Sequence, residues 1–160
     1  MLKSLNRTCI AIASVGVLSL VAGYTWHART AMANGQPWIT PATGQAKLQG
    51  VQFYTQFCAA CHGAQMQGQF NWRERMSNGR LPAPPHDDSG HTWHHSDQEL
   101  IGMIKYGIVA GVNAPAGYES DMPGFASVLS DEQIRDVLGY IKTYWSRQSL
   151  QAQREITVKR

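Results

Sequence analysis

Cys58, Cys61 and His62 stand within one short stretch, "FCAACHGAQ" (residues 57–65). Two thiols two residues apart, with an imidazole directly after the second, allow three chemistries. A structural zinc site needs four ligands. The only other cysteine is Cys9, far upstream, so histidines 86, 91, 94 and 95 would have to complete it. A redox dithiol of the thioredoxin kind sits where a strand meets a helix in a βαβ pattern. Before Cys58, however, Leu48, Val51, Phe53/Tyr54 and Phe57 recur at helical spacing. Haem attachment explains more. The thiols add to the two porphyrin vinyl groups and the next histidine points its ring nitrogen at the iron. The covalent link would also replace the disulfides that small exported domains use.

An iron that only exchanges electrons is held on both faces. A thioether as the second axial ligand favours the reduced state. Four methionines follow the motif. Met66 lies only four residues after His62 and starts on the same side. Met76 sits in the polar stretch "NWRERMSNGR", and Met103 in the helical "DQELIGMIKYG", where it reads as core. Met122 lies in "GYESDMPGF", whose glycine and proline make a loop able to cross to the far face.

From Gly44 to Trp145 the chain resembles a class I c-type cytochrome. CAACH matches the attachment motif, and "DMPGF" resembles the family's methionine loop, 60 residues after the histidine. Gly50 and Tyr54 precede Cys58 like the glycine and aromatic of the family's first helix. "LSDEQIRDVLGYIKTYW" resembles its last helix. The resemblance implies an all-α fold wrapped around one covalently bound haem c. Cys58 and Cys61 would be its thioether sites, His62 the proximal iron ligand and Met122 the distal one. It also implies that a proline carbonyl accepts the other N–H of His62. Pro82 or Pro84 would fit, with Pro84 the first candidate.

The positioning elements are legible independently. "SDEQ" (residues 130–133) and "SDQE" (residues 96–99) are capping boxes that open helices. Ile134, Val137, Leu138 and Ile141 form an apolar stripe on the first of these. Leu100, Ile101, Met103 and Ile104 line the second, and Gly107 stops it. Gly50, without a Cβ, would let the last helix approach near Leu138 and Ile141.

The segment "LPAPPHDDSGHTWHHSDQ" carries His86, His91, His94, His95 and Trp93. The leading expectation is a polar loop at the haem edge, with Trp93 and His94 contacting the propionates, which need partners if half buried. A copper site on the four histidines is a lesser expectation, and a histidine replacing Met122 on the iron a lesser one still.

Charge and hydropathy bound the remainder. From Asn34 onward there are 11 basic and 11 acidic residues, so the net charge of +3 belongs to the leader. Nucleic-acid binding has no electrostatic footprint here. Residues 8–26 form an uncharged run of 19 residues behind Lys3 and Arg7, enough to span roughly 28 Å, about a bilayer core. An inner-membrane anchor is expected, or else a signal cleaved after Ala33. Either places the chain on the periplasmic side of a bacterial membrane. The expected organisation is leader 1–33, linker 34–45, cytochrome domain 46–148 and polar tail 149–160.

The function expected from all this is that of an exported single-haem electron carrier, not an enzyme. It would shuttle single electrons between a redox protein donor and acceptor. The alternatives are a haem subunit of a membrane oxidoreductase or, further off, a peroxidase or gas-binding haem protein.

Overall fold

A computed structural model describes residues 38–159, all within the unit that begins at Pro37. The leader, its anchor run 8–26 and the cleavage point after Ala33 lie outside the described residues. Among the described residues no helix is long and apolar enough to cross a membrane.

Among the described residues five α-helices carry the fold: α1 (Gly44–Phe57), α2 (Ala59–His62), α3 (Asp97–Tyr106), α4 (Asp131–Lys142) and α5 (Arg147–Val158). A 3-10 turn, Thr92–His94, precedes α3. No strand occurs among the described residues; the nearest thing is an isolated bridge between Ala110 and Ala114.

Both capping boxes form. Ser96 accepts from the Glu99 amide while the Glu99 carboxylate reaches back to Ser96, and Ser130 and Gln133 do the same at α4. Each box satisfies two amides that a helix start otherwise leaves without partners. The α4 stripe Ile134, Val137, Leu138 and Ile141 is fully buried, with Trp145 just beyond it. Leu100 and Ile104 of α3 pack into the same core. By contrast, α1 has no side-chain cap and no acidic residue in its first turn, and it exposes Leu48 and Val51. Its place depends on tertiary packing, which is the usual source of helix stability in proteins.

That packing is α1 against α4, and Gly50 permits it. A Cβ at Gly50 would collide with the Asp136 carbonyl oxygen and stand 2.7 Å from the Tyr140 Cβ. The close approach therefore falls on Asp136 and Tyr140 rather than on Leu138 and Ile141. The latter two belong to the stripe turned into the core, whereas 136 and 140 form the i, i+4 row that faces α1. Tyr54, nearly fully buried on α1, meets Tyr140 edge-to-face at 5.6 Å.

The segment read as a polar tail is helical through Val158 and docks on the 3-10 turn. Its Gln153 is fully buried, as is Lys142 at the end of α4. The Lys142 ammonium donates to Asp97 Oδ1 (2.6 Å), to the Ile39 carbonyl (2.8 Å) and to Gln153 Oε1 (2.9 Å). Gln153 Nε2 in turn donates to Asp97 Oδ1 at 2.7 Å. Trp38 closes the cluster, its indole N–H on Gln153 Oε1 and its ring 4.8 Å from the Lys142 nitrogen. A buried charge is tolerated only when paired and hydrogen-bonded, and here one carboxylate, one amide and one carbonyl surround it. The network ties the chain entry at Trp38–Ile39, the start of α3, the end of α4 and α5 into one unit.

Candidate haem site

Cys58 caps α1 and opens α2, so Cys58 to His62 is one helical turn. The His62 amide donates to the Cys58 carbonyl at 2.9 Å. Both cysteines are free thiols, Cys61 exposed and Cys58 half-buried. Burial, together with the neighbouring Cys61, pushes the Cys58 thiol up to about 12, so it stays protonated rather than becoming a free reactive thiolate.

His62 is buried, and its Nδ1 lies 2.8 Å from the Pro84 carbonyl. A carbonyl only accepts, so Nδ1 carries the proton and Nε2 keeps its lone pair for a metal. Burial lowers the His62 pKa, partly opposed by the bond to Pro84. Of the two prolines considered, Pro84 makes this contact. The loop after the motif is built to deliver it. The Gly68 amide returns to the His62 carbonyl at 2.8 Å, and Gly68, at φ +68°, leaves no room for a Cβ against Pro84 and Pro85. The Gln69 amide donates to the Ala83 carbonyl and the His86 amide to the Met66 carbonyl. Tyr54 adds a bond from its hydroxyl to the Gly63 carbonyl at 2.9 Å. Burial raises the pKa of that hydroxyl, which keeps it a donor.

Met122 is half-buried at the edge of the core. Its loop is stapled to the end of α3: the Phe125 amide donates to the Ile104 carbonyl and the Ala126 amide to the Lys105 carbonyl. Gly107 and Gly124 allow the backbones to touch, since a Cβ at either would stand 2.8 Å from the Met122 carbonyl or 2.7 Å from the Lys105 carbonyl. Phe57, just before the motif, meets Phe125 edge-on at 6.0 Å. Arg80 also ties the loop down by ion pairs to Glu119 and Asp121. Among the other methionines, Met66 is wholly buried core, Met103 packs against the core and Met76 is exposed.

The histidine segment is divided rather than gathered. His86 turns inward and stacks on His62 with ring centroids 3.8 Å apart. His91 stacks on Trp72 at 5.6 Å and meets His95 edge-on. His94 stacks on Trp93, whose indole N–H reaches the Asp88 carbonyl at 3.4 Å. Among the described residues no group of three or more His, Cys, Asp or Glu side chains is placed to hold a metal ion. The four histidines expected to share a copper ion are thus spread over separate contacts, with His86 on His62, His91 on Trp72 and His94 on Trp93. Sequence reasoning did not single out Trp72, Arg73 (its guanidinium 3.9 Å over the Trp72 ring) or Arg80. The run of aromatic and arginine residues in "FNWRERMSNGR" was the available signal.

The family model for cytochrome c matches residues 48–145, from α1 to Trp145. The chain belongs to the cytochrome c family. Among curated proteins none matches it. Membership brings covalently bound haem c and a haem-based electron-transfer role. The residues fit that group: two unbridged thiols on one turn, followed by a histidine whose proton is committed to Pro84 and whose second nitrogen is a free donor. In this cytochrome c the match ends where the packing of α5 begins, so the Lys142–Gln153 bond joins the family domain to a helix outside it.

Proposed function

We propose that this cytochrome c is an exported, single-haem carrier that passes one electron at a time between redox proteins. Cys58 and Cys61 would hold the haem by thioethers, and His62 and Met122 would be the iron's protein ligands. The observation that carries this reading is the Nδ1–H bond of His62 to Pro84, which leaves Nε2 as the sole ligating nitrogen of a histidine adjoining two free thiols. When bound, the haem supplies an iron centre that changes by one electron.

This chain's residues do the rest. Pro84 keeps His62 oriented and more basic as a ligand. The staple between the Met122 loop and α3 holds a soft thioether donor ready, which favours ferrous iron. No nucleophile–base pair is required for such a task. Residues 8–26 anchor the chain to the inner membrane, with cleavage after Ala33 the alternative, and the domain works on the periplasmic side. Zero net charge beyond residue 34 favours small, short-lived contacts with donor and acceptor over strong long-range steering. The apolar run 8–26 also favours a second reading, in which the chain is the haem subunit of a membrane oxidoreductase.

A potentiometric titration of the matured full chain, with iron counted per chain, tests the proposal. One iron and a single wave of about 59 mV per decade are expected. Two irons, or rapid turnover of peroxide, would overturn it.

A further inference from the structure

We propose that His86 is a positioning residue for His62, fixing the plane of the imidazole that ligates the iron. The inference rests on the reading of His62 as an axial ligand. The two rings stack at 3.8 Å between centroids and 19° between planes. Pro84, two residues upstream of His86, holds the Nδ1 edge of His62. One tripeptide, Pro84–Pro85–His86, therefore grips His62 by edge and by face.

The two contacts do different work. A single hydrogen bond leaves the ring free to swing about the line from Nδ1 to the carbonyl oxygen. A flat partner against its face removes that freedom. His86 is itself immobilised. Its amide donates to the Met66 carbonyl at 2.8 Å, its carbonyl accepts from the Trp145 indole at 2.7 Å, and the Tyr54 ring stands edge-on to it at 6.0 Å. Tyr54 lies on α1 and Trp145 just beyond the end of α4, so the main helix pair of the fold sets the angle of the stack.

Aliphatic packing alone does not explain a flat ring here. Its Nδ1 is buried without a hydrogen-bond partner, a cost that an apolar side chain would not carry. What histidine shares with phenylalanine, and not with leucine, is a flat face of the right size. The plane of an axial imidazole decides which iron d orbital meets its π system, and that splitting is read in the g-values of low-spin ferric iron.

The test is electron paramagnetic resonance of the matured, oxidised full chain: wild type, His86→Phe, His86→Leu and His86→Met. The expected result is a low-spin wild-type spectrum that His86→Phe reproduces. His86→Leu and His86→Met should shift and broaden the largest g-value, because an unheld ring samples several angles. A leucine or methionine variant with the wild-type spectrum overturns the proposal, and so does a phenylalanine variant that shifts as far as they do, since a merely space-filling role would treat the three by size. A wild type without a low-spin, histidine-ligated signal overturns the ligation reading and the inference with it. If the leucine variant does not mature, the methionine and phenylalanine variants still decide between flat and non-flat partners.

Discussion

Replacing Asp97 with alanine is expected to destabilise the domain by about 3–5 kcal/mol, a large share of the roughly 5–15 kcal/mol that holds a domain folded. Lys142 is fully buried and Asp97 is its only carboxylate partner among the described residues. Removing it leaves the ammonium, among the described residues, with one carbonyl and one amide oxygen as hydrogen-bond acceptors. The Ile39 amide loses its acceptor at the same time. The double variant Asp97→Ala/Lys142→Met should recover most of the loss, because it removes the charge along with its partner. Urea denaturation followed by the helix signal measures both.

The same pair gives a pH dependence. Burial pushes Lys142 down to about 8, against the pull of Asp97, while the unfolded chain keeps its lysine near 10.5. Between those values the unfolded state binds more protons than the folded one, so stability climbs as pH rises from about 8 towards 10. Lys142→Met should remove that climb. An unchanged slope in the variant would show that some other group causes it.

Replacing Cys58 and Cys61 together with serine is expected to abolish covalent haem, while either single replacement keeps one thioether. On a denaturing gel with a haem stain, the single variants should retain colour and the double variant should lose all of it. A tethered ligand rebinds as an intramolecular partner, and an untethered one diffuses away once the domain opens. The two thiols make no disulfide to each other, so both are available for thioethers. A double variant that kept its stain through denaturation would show attachment elsewhere.

Much of the fold was legible because its signals are local. The capping boxes at Ser96 and Ser130 and the stripe Ile134–Ile141 are read within a dozen residues, and they form as expected. The turn from Cys58 to His62 is equally local. The rest depends on residues that sequence distance keeps apart. Gln153 and Lys142 look like solvated positions by residue type, yet both are fully buried because they satisfy each other and Asp97, 45 residues before Lys142. Trp38, in a segment read as linker, joins them across 115 residues. His86 looks like one more loop histidine, and only the return of residues 83–86 along residues 66–69 turns it against His62. Pro82 and Pro84 are indistinguishable by type and spacing, and the Gly68 turn is what brings Pro84 to the imidazole. Gly50 announced a close helix approach but not its register. Choosing Asp136 and Tyr140 required knowing which side of α4 faces the core.

The central claim is that His62 and Met122 hold one covalent haem between them, and optical spectra of the matured full chain test it most directly. Oxidised and reduced spectra of wild type are recorded beside Met122→Ala. The expected wild type shows a covalent c-type haem and the weak far-red band of methionine on ferric iron, and the variant loses that band. A far-red band absent from wild type, or one that survives the substitution, would contradict Met122 as the ligand and bring peroxide and carbon monoxide binding forward as the next tests.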